Sequence, residues 1–178
     1  MKYVCLMRGI NVSGQRKVNM KTLCTQLAEL GMDNVSYYLQ SGNLLFDTLL
    51  TSSEIKATIT QLLGDAYDYQ DVDLFLFTFD ALQAIYDEMP TFDSDQDESK
   101  SHFTFLNDTP DTTLTEQMDD QAFLPDQYRI CGTMVYVYCP NGYGRTKIHT
   151  NFFERKLKVR ATTRNHKTVA TLLDKLRS

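Results

Sequence analysis

Three short segments of this chain combine cations with the glycine or hydroxyl residues that anion-binding loops use. The longest, from Arg8 to Met20, reads R-G-I-N-V-S-G-Q-R-K-V-N-M and stands between an apolar run and an amphipathic run. Glycine permits a positive φ and leaves backbone N–H groups uncovered, and N–H groups at a helix start attract anions. We therefore expect a strand-to-helix loop that can hold an anion.

The second segment, residues 141–147, reads N-G-Y-G-R-T-K and follows a β-rich run. Arg145 and Lys147 could clamp an anion there, with Thr146 as a hydroxyl donor. The lysine stands outside the frame of the phosphate-binding P-loop, G-x-x-x-x-G-K-[ST], so that motif does not apply. An ordinary turn with surface cations is the alternative interpretation.

The third segment, residues 162–165, reads T-T-R-N. Its threonines favour the start of the last helix, with Thr162 or Thr163 as the N-cap. Arg164 and Asn165 would then add hydrogen-bond donors beside that helix start. A normal cap with an exposed arginine is the alternative here.

No pattern identifies a nucleophile, a metal site or a cofactor site, so catalytic residues and any reaction stay unassigned. Ser41 lies in a predicted hairpin turn and lacks the G-x-S-x-G elbow. The acidic loop of residues 91–101 begins like a calcium-binding loop but lacks its glycine and closing glutamate, which favours a solvated connector. The cysteines form no C-x-x-C pair and are expected to be buried reduced thiols, and the histidines lack zinc-ligand spacing. These residues are Cys5, Cys24, Cys131, Cys139, His102, His149 and His166.

The composition is that of a globular chain with segregated charge. Its 178 residues are 42% hydrophobic, which suits one domain or two small ones. The net charge of −5 divides into +3 for residues 1–46, −17 for residues 47–126 and +9 for residues 127–178. The cationic ends either pair with the acidic middle or form a basic surface for an anionic ligand. Because neither a membrane span of ~20 apolar residues nor a signal peptide is recognised, we expect a soluble, cytoplasmic protein with no membrane partner.

The first half of the chain predicts a ferredoxin-like domain over residues 1–80. Apolar and β-branched runs predict strands at residues 3–7, 35–39, 44–46 and 72–79. Helical spacing predicts helices at residues 20–30 and 52–64. The first is predicted to begin after the N-cap Asn19 and to end at Gly31. The second is predicted to have Ser52 or Ser53 as its N-cap and to end at Gly64. The β-α-β-β-α-β order predicts a four-stranded antiparallel sheet with two helices on one face. The last strand is apolar on both faces, so we expect it to be central.

The second half, residues 81–178, is predicted to be another α+β domain with C-terminal helices. A helix over residues 80–89 ends at Pro90. Strands are predicted at residues 102–106, 128–131 and 134–139, with a short helix at residues 113–118. The β-α-β-β order repeats that of the first half, and the tail after it is predicted to be helical.

Four motifs in this chain resemble those of one bacterial family. They are R-G-I-N-V at residues 8–12, L-Q-S-G-N at 39–43, G-Y-G-R-T-K at 142–147 and A-T-T-R-N at 161–165. In this order they are similar to domain-of-unknown-function family 1697, and the resemblance runs from residue 2 to about residue 176. The chain has Ser13 where the family typically has glycine, and His166 where tryptophan is common. The resemblance implies two intertwined ferredoxin-like subdomains with antiparallel sheets, and it supplies no established activity.

These observations predict an uncharacterised protein that binds a small phosphate- or nucleotide-like anion between its two halves. The expected ligand-binding residues are Arg8, Asn11, Ser41, Asn43, Arg145, Lys147, Arg164 and Asn165. A non-catalytic nucleic-acid or protein-binding module is the alternative. Tyr37, Tyr38 and the phenylalanines of residues 72–79 could stack bases, but the RNA-recognition signature is missing. The sequence predicts no oligomeric state.

Overall fold

The computed structural model describes residues 1–177 and divides them into two compact units. Unit 1 comprises Met1–Gln83 and the last residues of the chain from Leu172, and unit 2 comprises Ala84–Thr171. No helix among the described residues is long and apolar enough to cross a membrane. The units consist of helices and two four-stranded antiparallel sheets, which confirms the expected α+β class.

Unit 1 contains one complete β-α-β-β-α-β unit. Its elements are β1 Lys2–Met7, α1 Met20–Glu29, β2 Asp33–Tyr37, β3 Asn43–Asp47, α2 Ser52–Tyr67 and β4 Leu74–Thr78. Helix α3, Phe79–Asp87, follows β4. The sheet order is β2-β3-β1-β4 and every neighbouring pair is antiparallel. This is the topology predicted for the first half.

Strand β4 lies at an edge of the sheet and pairs only with β1, so the expectation of a central strand was wrong. Its residues are buried or partly buried on both faces. Apolar residues on two faces therefore report that both faces are covered, and they do not report a hydrogen-bonded neighbour on each side.

The core of unit 1 follows from the alternation of β1 and the helical spacing of α1 and α2. One face of β1 places Tyr3, Cys5 and Met7 against the two helices, whose core residues are Leu23, Leu27, Ile55, Ile59 and Leu63. The Asn19 side chain caps α1 by accepting a hydrogen bond from the Thr22 N–H at 3.1 Å, as predicted. Helix α2 is instead capped by Thr51, in a capping box with Glu54, and it continues past Gly64.

Unit 2 repeats the same topology. After α3 come a 3-10 helix, Glu98–Lys100, and the elements β5 Ser101–Leu106, α4 Thr112–Glu116, β6 Gln127–Cys131, β7 Met134–Tyr138, a 3-10 helix Tyr143–Arg145, α5 Thr150–Leu157, β8 Ala161–Asn165 and α6 His166–Arg177. The part of α6 from Leu172 belongs to unit 1. The sheet order is β6-β7-β5-β8, again antiparallel throughout. Its core packs Val135 and Val137 of β7 against Phe153 and Leu157 of α5.

The A-T-T-R-N segment forms strand β8, which corrects the prediction that Thr162 or Thr163 caps the last helix. Thr163 pairs with Thr104 across the β5–β8 ladder, as suits β-branched residues on a pleated surface. Helix α6 is capped by Asn165, the last residue of β8. Its side-chain oxygen accepts a hydrogen bond from the Thr168 N–H at 2.8 Å.

All four cysteines are free thiols. Cys5 and Cys139 are buried as expected and Cys24 is half-buried, whereas Cys131, the last residue of β6, is exposed, against the prediction. Burial raises the pKa of the Cys139 thiol to about 11, which keeps it protonated at neutral pH.

Candidate anion-binding site

Two motifs of unit 1 that are far apart in sequence lie side by side. The Asn11 side chain accepts the Val18 N–H at 2.8 Å and donates to the Val18 carbonyl at 2.9 Å, which closes the first basic loop on itself. It also donates to the Gln40 carbonyl at 2.7 Å, which joins that loop to the Q-S-G-N turn. The Asn11 amide is therefore occupied within the fold.

The Q-S-G-N turn approaches β1 so closely that only glycine fits its third position. Gly42 has a φ of +79°, and a Cβ there would lie 3.1 Å from the Met7 Cβ and 3.2 Å from the Ile10 Cβ. The adjacent Asn43 is buried, and its side chain donates to the Tyr38 carbonyl at 2.7 Å and to the Ser41 hydroxyl at 3.4 Å. Asn43 thus stabilises the turn from inside.

The cations of the first basic loop are partly neutralised by the acidic middle of the chain. Arg16 donates to Asp71 in a 2.7 Å ion pair, with 27% and 64% of the two side chains exposed. Arg8 is partly buried, and its backbone N–H donates to the Asp73 carbonyl at 3.0 Å. Internal pairing, one of the two uses predicted for the segregated charge, therefore operates in this loop.

The N-G-Y-G-R-T-K segment of unit 2 is anchored by the hydroxyl of Tyr143. This hydroxyl accepts the Thr150 N–H at 3.0 Å, at the start of α5, and lies 3.4 Å from the Thr163 hydroxyl on β8. The Thr163 hydroxyl also contacts those of Thr104 and Thr150 at 2.8 and 2.7 Å. The Tyr143 ring stacks on His102 with 4.3 Å between centroids. One tyrosine therefore joins the loop to two strands and a helix.

Thr146 anchors the other end of this segment and does not face a ligand, which corrects its expected role as a free hydroxyl donor. It is only 8% exposed. Its hydroxyl donates to the Asp126 carboxylate at 2.6 Å and accepts the Ile148 N–H at 3.1 Å. Both hydrogen-bonding functions of the hydroxyl are thereby used.

Arg145 lies between the anchors Tyr143 and Thr146, and Lys147 follows Thr146. Both cations are exposed. Within residues 1–177 their side chains form no hydrogen bond or ion pair. They line a groove of about 380 Å³ together with Asn141 and Gly142. Residues 122–126, Ala-Phe-Leu-Pro-Asp, also line this groove. The segment therefore directs the hydroxyls of Tyr143 and Thr146 inward and its two cations into an open groove.

The other two predicted site residues of unit 2 are built into the fold. Arg164 is 8% exposed, and its guanidinium donates to the Thr162 hydroxyl at 2.8 Å and the Thr163 carbonyl at 2.9 Å. Asn165 is the α6 cap described above. Arg164 is thus neither the exposed arginine nor the donor at a helix start that the sequence suggested.

The eight predicted residues divide equally between the units. Arg8, Asn11, Ser41 and Asn43 lie on the two joined loops of unit 1, and the other four lie in unit 2 on segments linked by the Tyr143–Thr163 contact. Sequence reasoning missed the groove wall at residues 122–126 and the anchor Asp126, because Asp126 meets Thr146 only through the fold. The described residues contain no cluster of three or more His, Cys, Asp or Glu side chains that could hold a metal ion.

Fold and loops together define an α+β protein with two ferredoxin-like units, each joining two polar motifs. The chain belongs to the DUF1697 family, described as a protein of unknown function, whose sequence profile matches residues 1–136. It is similar in fold to the conserved bacterial protein SP0830 from Streptococcus pneumoniae, with a TM-score of 0.76, 23% sequence identity and 98% coverage of both chains. No curated protein matches the chain.

Proposed function

We propose that this protein binds a small anionic ligand, a phosphate or phosphate ester, in the unit 2 groove beside Arg145 and Lys147. The observation that carries the proposal is that two exposed cations without partners stand on a loop anchored at Tyr143 and Thr146. Pre-ordered cations bind more tightly than flexible ones, because less conformational entropy is lost on binding. The guanidinium supplies paired donors for phosphate oxygens and the ammonium a point charge.

The proposal narrows the set of contacting residues expected from the sequence. Asn11, Asn43, Arg164 and Asn165 use their side chains within the fold, so their proposed role is to hold the loops rather than to touch the anion. Arg8 and Ser41, on the joined loops of unit 1, are not among the residues that line the unit 2 groove. No reaction is assigned.

Calorimetry and thermal unfolding with inorganic phosphate and phosphate esters test the proposal. A ligand at ~100 times its Kd stabilises the folded protein by about 2.7 kcal/mol, which thermal unfolding resolves. We expect Arg145→Ala/Lys147→Ala to weaken phosphate binding by at least about tenfold, equivalent to about 1.4 kcal/mol. The control Arg155→Ala/Lys156→Ala changes the net charge equally on the exposed surface of α5 and should bind as the wild type does.

Retention of full affinity by Arg145→Ala/Lys147→Ala, or equal losses in the two double variants, would refute a specific site. A wild-type protein that binds no phosphate compound at millimolar concentration would refute it as well.

The nucleic-acid alternative gains no support from the buried aromatic rings of strands β4, β5 and β7. A base-stacking sheet must expose aromatic rings. Phe103 and Phe105 of β5 and Tyr136 of β7 are at most 1% exposed, and Phe75 of β4 is 6% exposed. Tyr38 is partly buried, with the Lys175 ammonium 5.9 Å above its ring.

A further inference from the structure

We infer that the ligand of the unit 2 groove is a nucleoside monophosphate rather than inorganic phosphate or a sugar phosphate. This inference rests on the proposed function and specifies its ligand class. The groove presents three different chemistries: two cations, an apolar wall, and a carboxylate beside a free amide. A nucleoside monophosphate carries the complement of all three, namely an anion, a planar ring with apolar faces, and hydrogen-bond donors on ribose and base.

The apolar wall is formed by Phe123, Leu124 and Pro125. Leu124 is 56% exposed. It is one of the few large hydrophobic side chains among the described residues that are exposed. The neighbouring Phe123 packs edge-to-face on Phe152, with ring centroids 5.0 Å apart. The exposed leucine and proline therefore give the groove an apolar surface in addition to its cations. A phosphate ion alone would leave this surface in water.

The carboxylate of Asp126 favours a ligand that carries hydrogen-bond donors over a bare phosphate ion. One of its oxygens, Oδ2, accepts the Thr146 hydroxyl, and Oδ1 accepts no hydrogen bond from the described part of the chain. A carboxylate in the same groove repels a bare phosphate but accepts hydrogen bonds from a hydroxyl or an exocyclic amine. The Asn141 side chain is exposed, lines the same groove, and offers both a donor and an acceptor.

The size of the groove agrees with one nucleotide. Small-molecule pockets commonly span roughly 300–1,000 Å³, and the groove, at about 380 Å³, lies near the lower limit. This favours a mononucleotide over a dinucleotide cofactor.

Calorimetry with inorganic phosphate, ribose 5-phosphate and the four nucleoside 5′-monophosphates tests the inference. We expect at least one nucleoside monophosphate to bind about tenfold more tightly than ribose 5-phosphate, because only the nucleotide covers the apolar wall. Leu124→Ser should reduce this preference for the nucleotide over ribose 5-phosphate about fivefold. Because Leu124 is exposed, the substitution should have little effect on folding. Leu49→Ser, at a leucine that is 99% exposed in unit 1, is the matched control and should change neither affinity.

Asp126→Asn tests the polar side of the same inference. The asparagine side chain can still accept a hydrogen bond from the Thr146 hydroxyl, but the substitution removes the negative charge. We expect inorganic phosphate to bind more tightly to this variant and the preference for the nucleotide over phosphate to shrink.

The outcomes separate the inference from the function on which it rests. Equal affinities for nucleotides and ribose 5-phosphate, sensitive to Arg145→Ala/Lys147→Ala, would overturn the nucleotide assignment and leave the anion site standing. Nucleotide binding that ignores Leu124→Ser and Asp126→Asn would also overturn it. If no phosphate compound binds, both the inference and the proposed function fail.

Discussion

Removal of one oxygen atom, in Tyr143→Phe, should destabilise unit 2 and loosen the proposed site together. The Tyr143 hydroxyl caps the Thr150 N–H at 3.0 Å, and the N-cap residue of α5, His149, supplies no side-chain cap. Phenylalanine leaves this half-buried N–H without its partner and removes the contact with Thr163. Losing one partner of a buried hydrogen bond costs about 1–3 kcal/mol, so we expect the free energy of unfolding to fall by about 2 kcal/mol.

Urea unfolding followed by far-ultraviolet circular dichroism measures this change. With an m-value of about 2 kcal/mol per molar urea, the midpoint should fall by about 1 M. Tyr138→Phe is the matched control, because the Tyr138 hydroxyl forms no hydrogen bond within residues 1–177. It should shift the midpoint by less than about 0.2 M, since a substitution that removes no such interaction changes stability little.

A ligand measurement separates the anchoring role of Tyr143 from a purely structural one. Under conditions where Tyr143→Phe is fully folded, we expect phosphate affinity to drop about threefold, because the loop that carries Arg145 and Lys147 is less ordered. The argument is refuted if Tyr143→Phe is as stable as Tyr138→Phe. It also fails if the variant is less stable but binds phosphate with wild-type affinity.

Two further predictions concern stability. Gly42→Ala should lower the free energy of unfolding by about 2–4 kcal/mol, because alanine is strained at a φ of +79° and its Cβ would press on Met7. The control Gly14→Ala, at a φ of +74° with no atom within 4 Å of the added Cβ, should lower it by only about 1 kcal/mol. Equal losses for the two variants in urea unfolding would contradict the close packing of Gly42. Burial lowers the pKa of His102, partly opposed by its hydrogen bond to the Lys100 carbonyl. The unfolded chain therefore takes up this proton at higher pH than the folded protein, and stability that is complete above about pH 6.5 is lost as the pH falls toward the folded pKa. His102→Gln should reduce this loss in urea titrations from pH 7 to pH 5, and unchanged slopes would contradict the assignment.

Local signals in the amino-acid sequence predicted most of the secondary structure of unit 1. The alternating apolar residues of β1, the leucine spacing of α1 and the glycine-bearing turn between β2 and β3 are local signals, since each follows from backbone geometry within a few residues. The Asn19 cap could be read in the same way. Boundaries were less accurate: Thr51 rather than Ser52 or Ser53 caps α2, because the reciprocal bond to Glu54 decides between adjacent hydroxyl residues.

The edge position of β4 and the strand conformation of β8 depend on contacts between residues far apart in the chain. Apolar faces cannot tell a strand with one hydrogen-bonded neighbour from a strand with two. In the T-T-R-N segment, local cap chemistry competed with β-propensity, and pairing with β5 selected the strand. Strand β8 completes the β-α-β-β-α-β order of unit 2, which the residue pattern left without its last strand and which the family resemblance implied.

The tertiary structure also decided which polar motif residues are free to bind. In sequence, Arg164 and Arg145 are equivalent: each is a cation in a threonine-containing motif. The fold buries Arg164 among its own strand's oxygen atoms and leaves Arg145 exposed on an anchored loop. A polar side chain is available only if the fold brings no partner to it, and the partners here, such as Gln40 for Asn11 and Asp126 for Thr146, lie 29 and 20 residues away. Residue type and spacing therefore determine where polar groups can cluster, and long-range hydrogen bonding determines which of them remain for a ligand.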